Sequence, residues 1–296
     1  MNSYTINWIL LLTLSAIWGG AFTLNKFALE AYTPQLVVSG RLIIGAIVLI
    51  ILVFLIHKKV LLYFKHWPYY LYMSLVGIVA PFLLIAYGQK EIDSSLAGIL
   101  MSTMPISTLI LSHFFLDDEK LNVKKTLGFI IAFFGIIVLV MPDSKFVTNS
   151  FFHDIKSELM VIGGAILYSC AAVFGKKYKI TDPLNASMGT ILFSAIIMLA
   201  YLFSSESNIS INFYEIHFSS LLLLGIFCTA IATIIYFHIL QTSGASFISI
   251  MNYLIPVWAI IFGVLFYNEK IVWNYLIGLF IIVLGIHISQ IKNKTI

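Results

Sequence analysis

Long apolar blocks separated by short polar breaks run along the whole chain. The blocks are about 20 residues long, the length at which an α-helix crosses the hydrocarbon core of a bilayer. The pattern predicts ten transmembrane helices, near residues 8–27, 34–56, 68–89, 94–116, 124–141, 158–177, 183–203, 218–240, 245–267 and 271–290. The predicted fold is therefore an all-α membrane protein with ten transmembrane helices.

The second half of the chain repeats the first at a spacing of 150 positions. The matched pairs include Glu119 with Glu269, Lys120 with Lys270, Gly128 with Gly278, and Gly135 with Gly285. Each half holds five predicted helices, an odd number, so the two copies must cross the bilayer in opposite directions. The sequence thus predicts two inverted five-helix repeats, at residues 1–142 and 158–296, joined by a linker at residues 143–157.

Composition excludes a soluble globular domain. Hydrophobic residues make up 60% of the 296 positions and charged residues 10%, against about 45–50% and about 25% in ordinary soluble domains. The net charge of +4 is small and comes from lysines in short loops, which gives no basis for a nucleic-acid partner. The expected partners are the lipid bilayer and a small-molecule substrate.

The lysines also predict the orientation of the chain. They are concentrated in the predicted loops 2/3, 4/5 and 6/7 and in the C-terminal tail, and basic residues in short loops stay on the cytoplasmic side. Both termini are expected in the cytoplasm, with Glu119 on the inner side and Glu269 on the outer side. No basic stretch precedes the first block, so we expect a retained helix rather than a cleaved signal peptide. The expected location is the bacterial inner (cell) membrane.

Arg41 is the clearest candidate for chemistry inside the membrane. It lies about seven residues into predicted helix 2, or roughly 10 Å at 1.5 Å per residue. A charge at that depth is costly and is expected to face a cavity or a partner. Arg41 is therefore predicted to attract an anionic group such as a carboxylate. The alternative is that the side chain snorkels toward the surface or binds helix-end carbonyls.

Other polar and aromatic side chains are candidates to line a substrate pathway. With Arg41, the predicted substrate-binding residues are Trp18, Tyr87, Ser102, Tyr168, Tyr236, His238, Asn252 and Trp258. Trp18 and Tyr168 occupy equivalent positions in the two halves, as expected for opposite walls of one cavity. The alternatives are packing for the buried rings, an interhelical hydrogen bond for Asn252 and interfacial anchoring for the tyrosines near helix ends.

Paired prolines and glycines predict structural roles in both halves. Pro105 and Pro256 fall at corresponding positions of helices 4 and 9, where a proline bends the helix and indicates a hinge. Gly128 and Gly135, like Gly278 and Gly285, are seven residues apart and so share one helix face. We assign these glycines to close packing of helices 5 and 10, with a homodimer contact as a second interpretation.

No cofactor or metal is predicted. The histidines show no paired metal-ligand spacing, both cysteines fall inside predicted helices, and no phosphate-binding GxxxxGK[ST] motif occurs. Every Asp and Glu lies near a helix end or in a loop, which favours facilitated diffusion or exchange over proton coupling. His238 is the alternative proton carrier, because an imidazole titrates near neutral pH.

The segment SAIWGGAF on predicted helix 1 and a proline followed about 13 residues later by an acid-lysine turn resemble the EamA-like family of the drug/metabolite transporter superfamily. The resemblance covers essentially the whole chain. It implies a central cavity formed by helices 1, 3, 4, 6, 8 and 9, alternating access, and small organic cargo such as amino acids, often exported. Trp18 falls on the family's aromatic position in helix 1.

The predicted function is therefore secondary transport of small organic metabolites by an exporter, facilitator or exchanger that is not an enzyme. Two alternatives stay open. A membrane-embedded enzyme would use His113 and Asp118, which fit the His-x4-Asp spacing of some acyltransferases. A non-transporting membrane subunit would have no substrate pathway.

Overall fold

The helices of this protein are seen in a computed structural model, which describes residues 3–57, 64–116, 121–140, 150–178, 182–205, 215–248 and 251–290. Within these ranges the chain is almost entirely helical and contains no β-strand. The predicted Glu119-Lys120 turn, linker residues 143–149 and Asp118 lie outside them. The all-α prediction is confirmed for the described part of the chain.

Thirteen α-helices are present in the described ranges. They are α1 (Ser3–Ala31), α2 (Pro34–His57), α3 (Trp67–Ser74), α4 (Ala80–Gly88), α5 (Ser94–Leu100), α6 (Thr103–Phe115), α7 (Val123–Val140), α8 (Ser150–Tyr178), α9 (Pro183–Ser205), α10 (Glu215–Gly225), α11 (Ala232–Ile248), α12 (Met251–Tyr267) and α13 (Trp273–Gln290). A short 3₁₀ turn, Phe64–His66, precedes α3. Two π-helical turns, Leu75–Val79 and Ile226–Ile231, connect α3 to α4 and α10 to α11.

Several of these helices are built to cross a membrane. Among the described residues, seven helical runs are long and apolar enough to span a bilayer, and shorter apolar helices cover Leu254–Tyr267 and Trp273–Ile288. Large apolar side chains such as Phe203, Phe266 and Phe280 are well exposed on their outer faces. Such exposure is expected where the surroundings are lipid. The protein is therefore a multi-pass integral membrane protein.

Several predicted boundaries are wrong. The structure continues α11 to Ile248, whereas the sequence pattern predicts an end at 240 and a new helix from 245. The polar residues Thr242 and Ser243 stay helical because both hydrogen-bond to Asn7 of α1, with Asn7 Nδ2 2.7 Å from Ser243 Oγ. Helix α8 begins at Ser150, earlier than the predicted residue 158. Polar residues at the end of a long helix resemble a loop in composition.

Packing partners recur in the two halves of the chain. Helices α1 and α8 are counterparts: α1 packs along α12, and α8 packs along α6. Likewise α10 packs on α1, and its counterpart α4 packs on α8. Finally, α2 packs on α10, and its counterpart α9 packs on α3. Helices α2 and α9, α7 and α13, and α5 and α12 pair directly across the halves. Replacing each helix by its counterpart about 150 residues away converts one set of contacts into the other.

The close packing predicted for helices 5 and 10 is confirmed between α7 and α13. A Cβ added at Gly135 would lie 2.8 Å from the Ile282 nitrogen, and one at Gly285 would lie 2.5 Å from the Gly128 carbonyl oxygen. Only glycine permits so close an approach of two backbones. This glycine face is thus used within the chain.

The two π-helical turns occupy equivalent positions, since Leu75 and Ile226 are 151 residues apart and both begin a turn inside a membrane-spanning helix. A π-helical turn holds one extra residue and shifts the register of the backbone hydrogen bonds. It therefore changes the direction of the carbonyls around it, and the turn in the second half forms part of the site described next.

Candidate functional site

Arg41 projects from α2 toward the π-helical turn between α10 and α11. Its Nε donates to Thr229 Oγ1 at 3.0 Å, and its Nη2 donates to the Cys228 carbonyl at 3.4 Å. The guanidinium carbon lies 4.1 Å from the centroid of the Phe82 ring on α4. This distance gives a cation–π contact. The side chain is held among three helices by hydrogen bonds to a hydroxyl and a carbonyl.

The π-helical turn makes these two acceptors available. Thr229 Oγ1 donates to the Leu224 carbonyl five residues earlier at 3.0 Å, so this hydroxyl both accepts from Arg41 and donates to its own helix. The Cys228 carbonyl accepts a second hydrogen bond from Trp18 Nε1 at 3.1 Å. One carbonyl of α10–α11 therefore joins α1 and α2 at a single point.

Four aromatic rings surround this point. The ring centroids of Trp18 and Tyr236 are 5.8 Å apart, and those of Phe82 and Tyr168 are 6.4 Å apart. Tyr168 thus contacts the Phe82 ring that also lies against Arg41. Two predicted site residues of the first half, Trp18 and Arg41, and two of the second half, Tyr168 and Tyr236, thus lie around one cluster. We call Trp18, Arg41, Phe82, Tyr168, Thr229 and Tyr236 the arginine cluster.

The charge of Arg41 is not balanced within the described part of the chain. The ion pairs seen there, such as Lys26 with Asp93 at 3.5 Å, involve other residues, and no described carboxylate pairs with Arg41. A guanidinium carries five N–H donors, and only two of them are used in the bonds above. A cation that is desolvated without an acidic partner attracts an anion strongly. The cluster therefore has guanidinium N–H donors that could bind an anion such as a carboxylate.

The other predicted site residues lie apart from these contacts. Tyr87 hydrogen-bonds with Gln35 near the beginning of α2. His238 is exposed on α11. Trp258 stacks on Phe262, with ring centroids 5.5 Å apart. Its Cβ packs so closely on α1 that any side chain at Gly19 would overlap it.

Asn252 and Ser102 both lie at the ends of helical segments. Asn252 is the second residue of α12. Ser102 is buried in a break between α5 and α6. The predicted hinge residues differ in setting, because Pro105 follows that break whereas Pro256 lies inside α12.

Sequence reasoning missed three members of the arrangement. Thr229 could have been selected from the sequence, since it is a hydroxyl residue inside an apolar block. Phe82 could not, because one phenylalanine among 24 cannot be singled out by pattern. Cys228 was noted in the sequence only as a cysteine inside a predicted helix. Its thiol donates to the Ile17 carbonyl at 3.4 Å, but its backbone carbonyl makes the important contacts.

A second polar cluster lies where the turn after α12 meets the start of α5. Both carboxylate oxygens of Glu269 are bound by the first two residues of α5, Ser94 and Ser95. Nearby, Lys26 Nζ donates to the Ile92 carbonyl at 2.6 Å and pairs with Asp93. Glu269 therefore caps the start of α5. These bonds tie α1, α5 and the turn after α12 together.

The structure describes one of the two residues of the catalytic alternative. His113 Nδ1 accepts a hydrogen bond from the Leu121 amide at 3.1 Å, which is a structural use of the imidazole. Its proposed partner Asp118 lies outside the described residues.

Fold and site together define a polytopic α-helical membrane protein with a cationic, aromatic-walled site between helices of both halves. The EamA-like transporter family matches residues 6–141 and again residues 155–289. The chain therefore belongs to the EamA-like transporter family, and it is a membrane transporter. The resemblance noted in the sequence is confirmed.

Relatives with transporter names cover nearly the whole chain. The uncharacterized transporter YoaV of Bacillus subtilis strain 168 is 29% identical over 280 residues, 94% of this chain and 94% of that protein. The uncharacterized transporter YvbV of the same organism is 27% identical, covering 97% of this chain and 92% of that protein. A solved crystal structure with 18% identity and a TM-score of 0.68 covers 97% of this chain and 96% of its own. At that identity it supports the fold.

Proposed function

We propose that this protein is a secondary transporter of small organic metabolites that carry a carboxylate, such as amino acids. It works as an exporter, facilitator or exchanger by alternating access. The observation that carries the proposal is Arg41, a half-buried cation inside a membrane span with an aromatic neighbour and no described acidic partner. A carboxylate fits the planar N–H fork of a guanidinium in two-point contact.

Alternating access follows from two inverted repeats, and two observations support that architecture. The family match occurs twice, once in each half. The helix contacts of one half become those of the other when counterparts are exchanged. An odd number of spans in each unit makes such copies antiparallel. The proposed arrangement is ten spans, with both termini cytoplasmic, in the bacterial inner membrane.

The arginine cluster takes residues from both halves, so relative movement of the halves alters it. Trp18, Arg41 and Phe82 belong to the first half, and Tyr168, Thr229 and Tyr236 to the second. We propose that the substrate carboxylate binds Arg41 and that its remaining atoms lie between the Trp18–Tyr236 and Phe82–Tyr168 pairs. Pro105 and Pro256 are the proposed hinges, because a proline removes one backbone hydrogen bond at the point where a helix must bend.

Ligand-dependent stabilisation of the detergent-solubilised protein tests this proposal. Free amino acids are compared with their amides and with the matching decarboxylated amines. A ligand near saturation is expected to raise Tm by roughly 2–4 °C. Only compounds with a free carboxylate should do so.

Variants of Arg41 identify the group responsible. Arg41→Gln removes the charge and should abolish the Tm response and uptake into proteoliposomes. Arg41→Lys keeps the charge but loses two-point binding, so a weaker response is expected. Lys90→Gln, at an exposed lysine, is the matched control and should behave as wild type. Equal stabilisation by amines, or a full response in Arg41→Gln, would contradict the proposal.

A further inference from the structure

The membrane-spanning segment formed by α5 and α6 is broken in its middle. Helix α5 ends at Leu100 and α6 begins at Thr103. In a continuous helix the amides of Ser102 and Met104 would donate to the carbonyls of Gly98 and Leu100. Here they donate to Ile99 at 2.9 Å and to Met101 at 3.0 Å. The break therefore deprives two carbonyls of their usual donors.

A proline at the third residue of α6 explains part of this loss of backbone hydrogen bonds. Pro105 has no N–H and cannot serve the Met101 carbonyl, which is why the Met104 amide takes that place. Helix carbonyls point toward the C-terminal end of their helix. The carbonyls of Gly98 and Leu100 are thus directed toward the break.

Two hydroxyls at the same break are buried and unused. Ser102 is 3% exposed and Thr103 is 2% exposed. Neither Ser102 Oγ nor Thr103 Oγ1 has a hydrogen-bond partner among the described residues. Hydroxyls on uninterrupted helices of this protein behave differently: Thr108 Oγ1 donates to the Met104 carbonyl and Thr190 Oγ1 to the Ala186 carbonyl, both at 2.8 Å. The usual back-bond of a helical hydroxyl is therefore missing at two adjacent positions.

Buried polar groups of a native protein are almost always satisfied, so two unpartnered hydroxyls beside two carbonyls without their usual donors require an explanation such as a bound water or ion. Hydroxyl and carbonyl oxygens form a hard ligand set that suits alkali or alkaline-earth cations. The described oxygens at the break carry no formal charge, which disfavours a divalent ion. In transporters with interrupted membrane helices, unwound backbone carbonyls and the C-terminal ends of half-helices coordinate small monovalent cations.

We infer that the break between α5 and α6 is a sodium-binding site, with Ser102 Oγ, Thr103 Oγ1 and the carbonyls of Gly98 and Leu100 as ligands. Binding by itself does not depend on the proposed function. A role for sodium in coupling does rest on it, because the site lies on a helix that packs against α12 of the other half. Sodium would bind the unpartnered oxygens at the break and so favour the conformations in which α5 and α6 are aligned.

The first experiment measures sodium binding without any organic substrate. Thermal unfolding of the detergent-solubilised protein is followed in sodium chloride, potassium chloride and choline chloride at equal ionic strength. Sodium is expected to raise Tm by roughly 2–4 °C over choline near saturation. Binding of radioactive sodium to the same protein should saturate. Equal Tm values in all three salts, or no saturable binding, would show that the break holds only water and would overturn the inference.

Variants separate a cation site from a contribution to folding. Ser102→Ala and Thr103→Val delete the unpartnered hydroxyls and should remove the sodium response while leaving the Tm in choline unchanged or higher. Thr103→Ser keeps the hydroxyl and should keep the response. Thr108→Val is the matched control, since it removes a hydroxyl of α6 that already has a partner. A full sodium response in both deletion variants would refute the assignment.

A final measurement distinguishes sodium from the ammonium group of a substrate. If amines raise Tm in choline chloride and Ser102→Ala abolishes that effect while sodium has none, the site belongs to the substrate and the sodium inference is wrong. If sodium stabilises the protein but Arg41→Gln leaves the carboxylate response intact, the inference stands and the proposed substrate site fails. The two proposals can therefore fail separately.

Discussion

Glu269 and Ser94 are 175 residues apart in the chain and are joined by two hydrogen bonds: Glu269 Oε1 accepts from the Ser94 amide at 2.7 Å and from its hydroxyl at 2.6 Å. The other carboxylate oxygen accepts from the amide and the hydroxyl of Ser95. A carboxylate at the start of a helix satisfies its first amides and favours the positive end of the helix dipole. The turn that follows α12 therefore caps α5.

Replacing Glu269 should destabilise the protein. Glu269→Gln leaves one acceptor oxygen and puts an NH2 group against two donors, so about half of the four hydrogen bonds are lost. Hydrogen bonds to a charged group contribute about 1.5–3 kcal/mol each, so the loss of two lowers the free energy of unfolding by roughly 3–6 kcal/mol. Thermal unfolding in detergent measures it. Lys270→Gln, at the exposed neighbouring residue, is the control, and equal melting of the two variants would disprove the capping role.

Gly263 is the position where the Glu269 cap leaves no room for a side chain. A Cβ at residue 263 would overlap Glu269 Oε2 and Ser95 Oγ. Gly263→Ala should therefore displace the carboxylate and cost about 1–3 kcal/mol, the usual range for overpacking. Gly163→Ala is the matched control in α8, because its Cβ would lie 3.5 Å from Leu84 Cδ1, an ordinary contact. That variant should be neutral or more stable, since alanine is the better helix former. Thermal unfolding of both variants decides the matter, and a Gly263→Ala protein as stable as Gly163→Ala would contradict the cap.

The sequence pattern predicted most of the helices, because membrane spans need long apolar stretches and these are visible directly in the sequence. It failed where tertiary hydrogen bonds override local polarity. Thr242 and Ser243 looked like a loop, yet Asn7 holds them in α11. The π-helical turn at Ile226–Ile231 also left no signal, because one inserted residue shifts hydrogen-bond register without changing composition.

The candidate site was predictable only where a residue type is rare in a membrane. Arg41 stands out in any apolar block, so sequence alone singles it out. Its partners do not stand out, since Phe82 is one of many phenylalanines. The Cys228 contact uses a backbone carbonyl, a group that every residue has. Ser102 was selected for its hydroxyl, but its importance comes from a break in backbone bonding that only coordinates reveal.

Thr229 is expected to position Arg41 for the substrate. Thr229→Val keeps the side-chain shape but removes the hydroxyl that accepts from Arg41 Nε at 3.0 Å. The guanidinium should then lose part of its orientation, which weakens carboxylate binding about tenfold, the equivalent of roughly 1.4 kcal/mol. Uptake into proteoliposomes at varied substrate concentration measures the change as a raised KM. Thr233→Val removes a hydroxyl that donates to the Thr229 carbonyl one turn away and is the control. A KM raised equally in both variants would assign the effect to the helix rather than to the hydroxyl.

Trp18 and Trp258 were both predicted to bind substrate, and the structure separates them. Trp18 Nε1 donates to the Cys228 carbonyl that also accepts from Arg41, whereas Trp258 stacks on Phe262. Trp18→Phe keeps an aromatic ring but removes the N–H, and the loss of one such hydrogen bond costs about 1 kcal/mol.

Because the Cys228 carbonyl also binds Arg41, we expect Trp18→Phe to weaken substrate affinity up to about fivefold, the equivalent of that energy, while Trp258→Phe leaves affinity unchanged. Substrate-dependent Tm shifts titrated to saturation give both affinities, and the unliganded Tm of each variant reports any loss of folding. If Trp258→Phe weakened binding and Trp18→Phe did not, the site would lie against α12 and the arginine cluster would not hold the substrate. The comparison works because both variants replace an indole by a smaller ring, so lost ring volume alone cannot explain a difference between them.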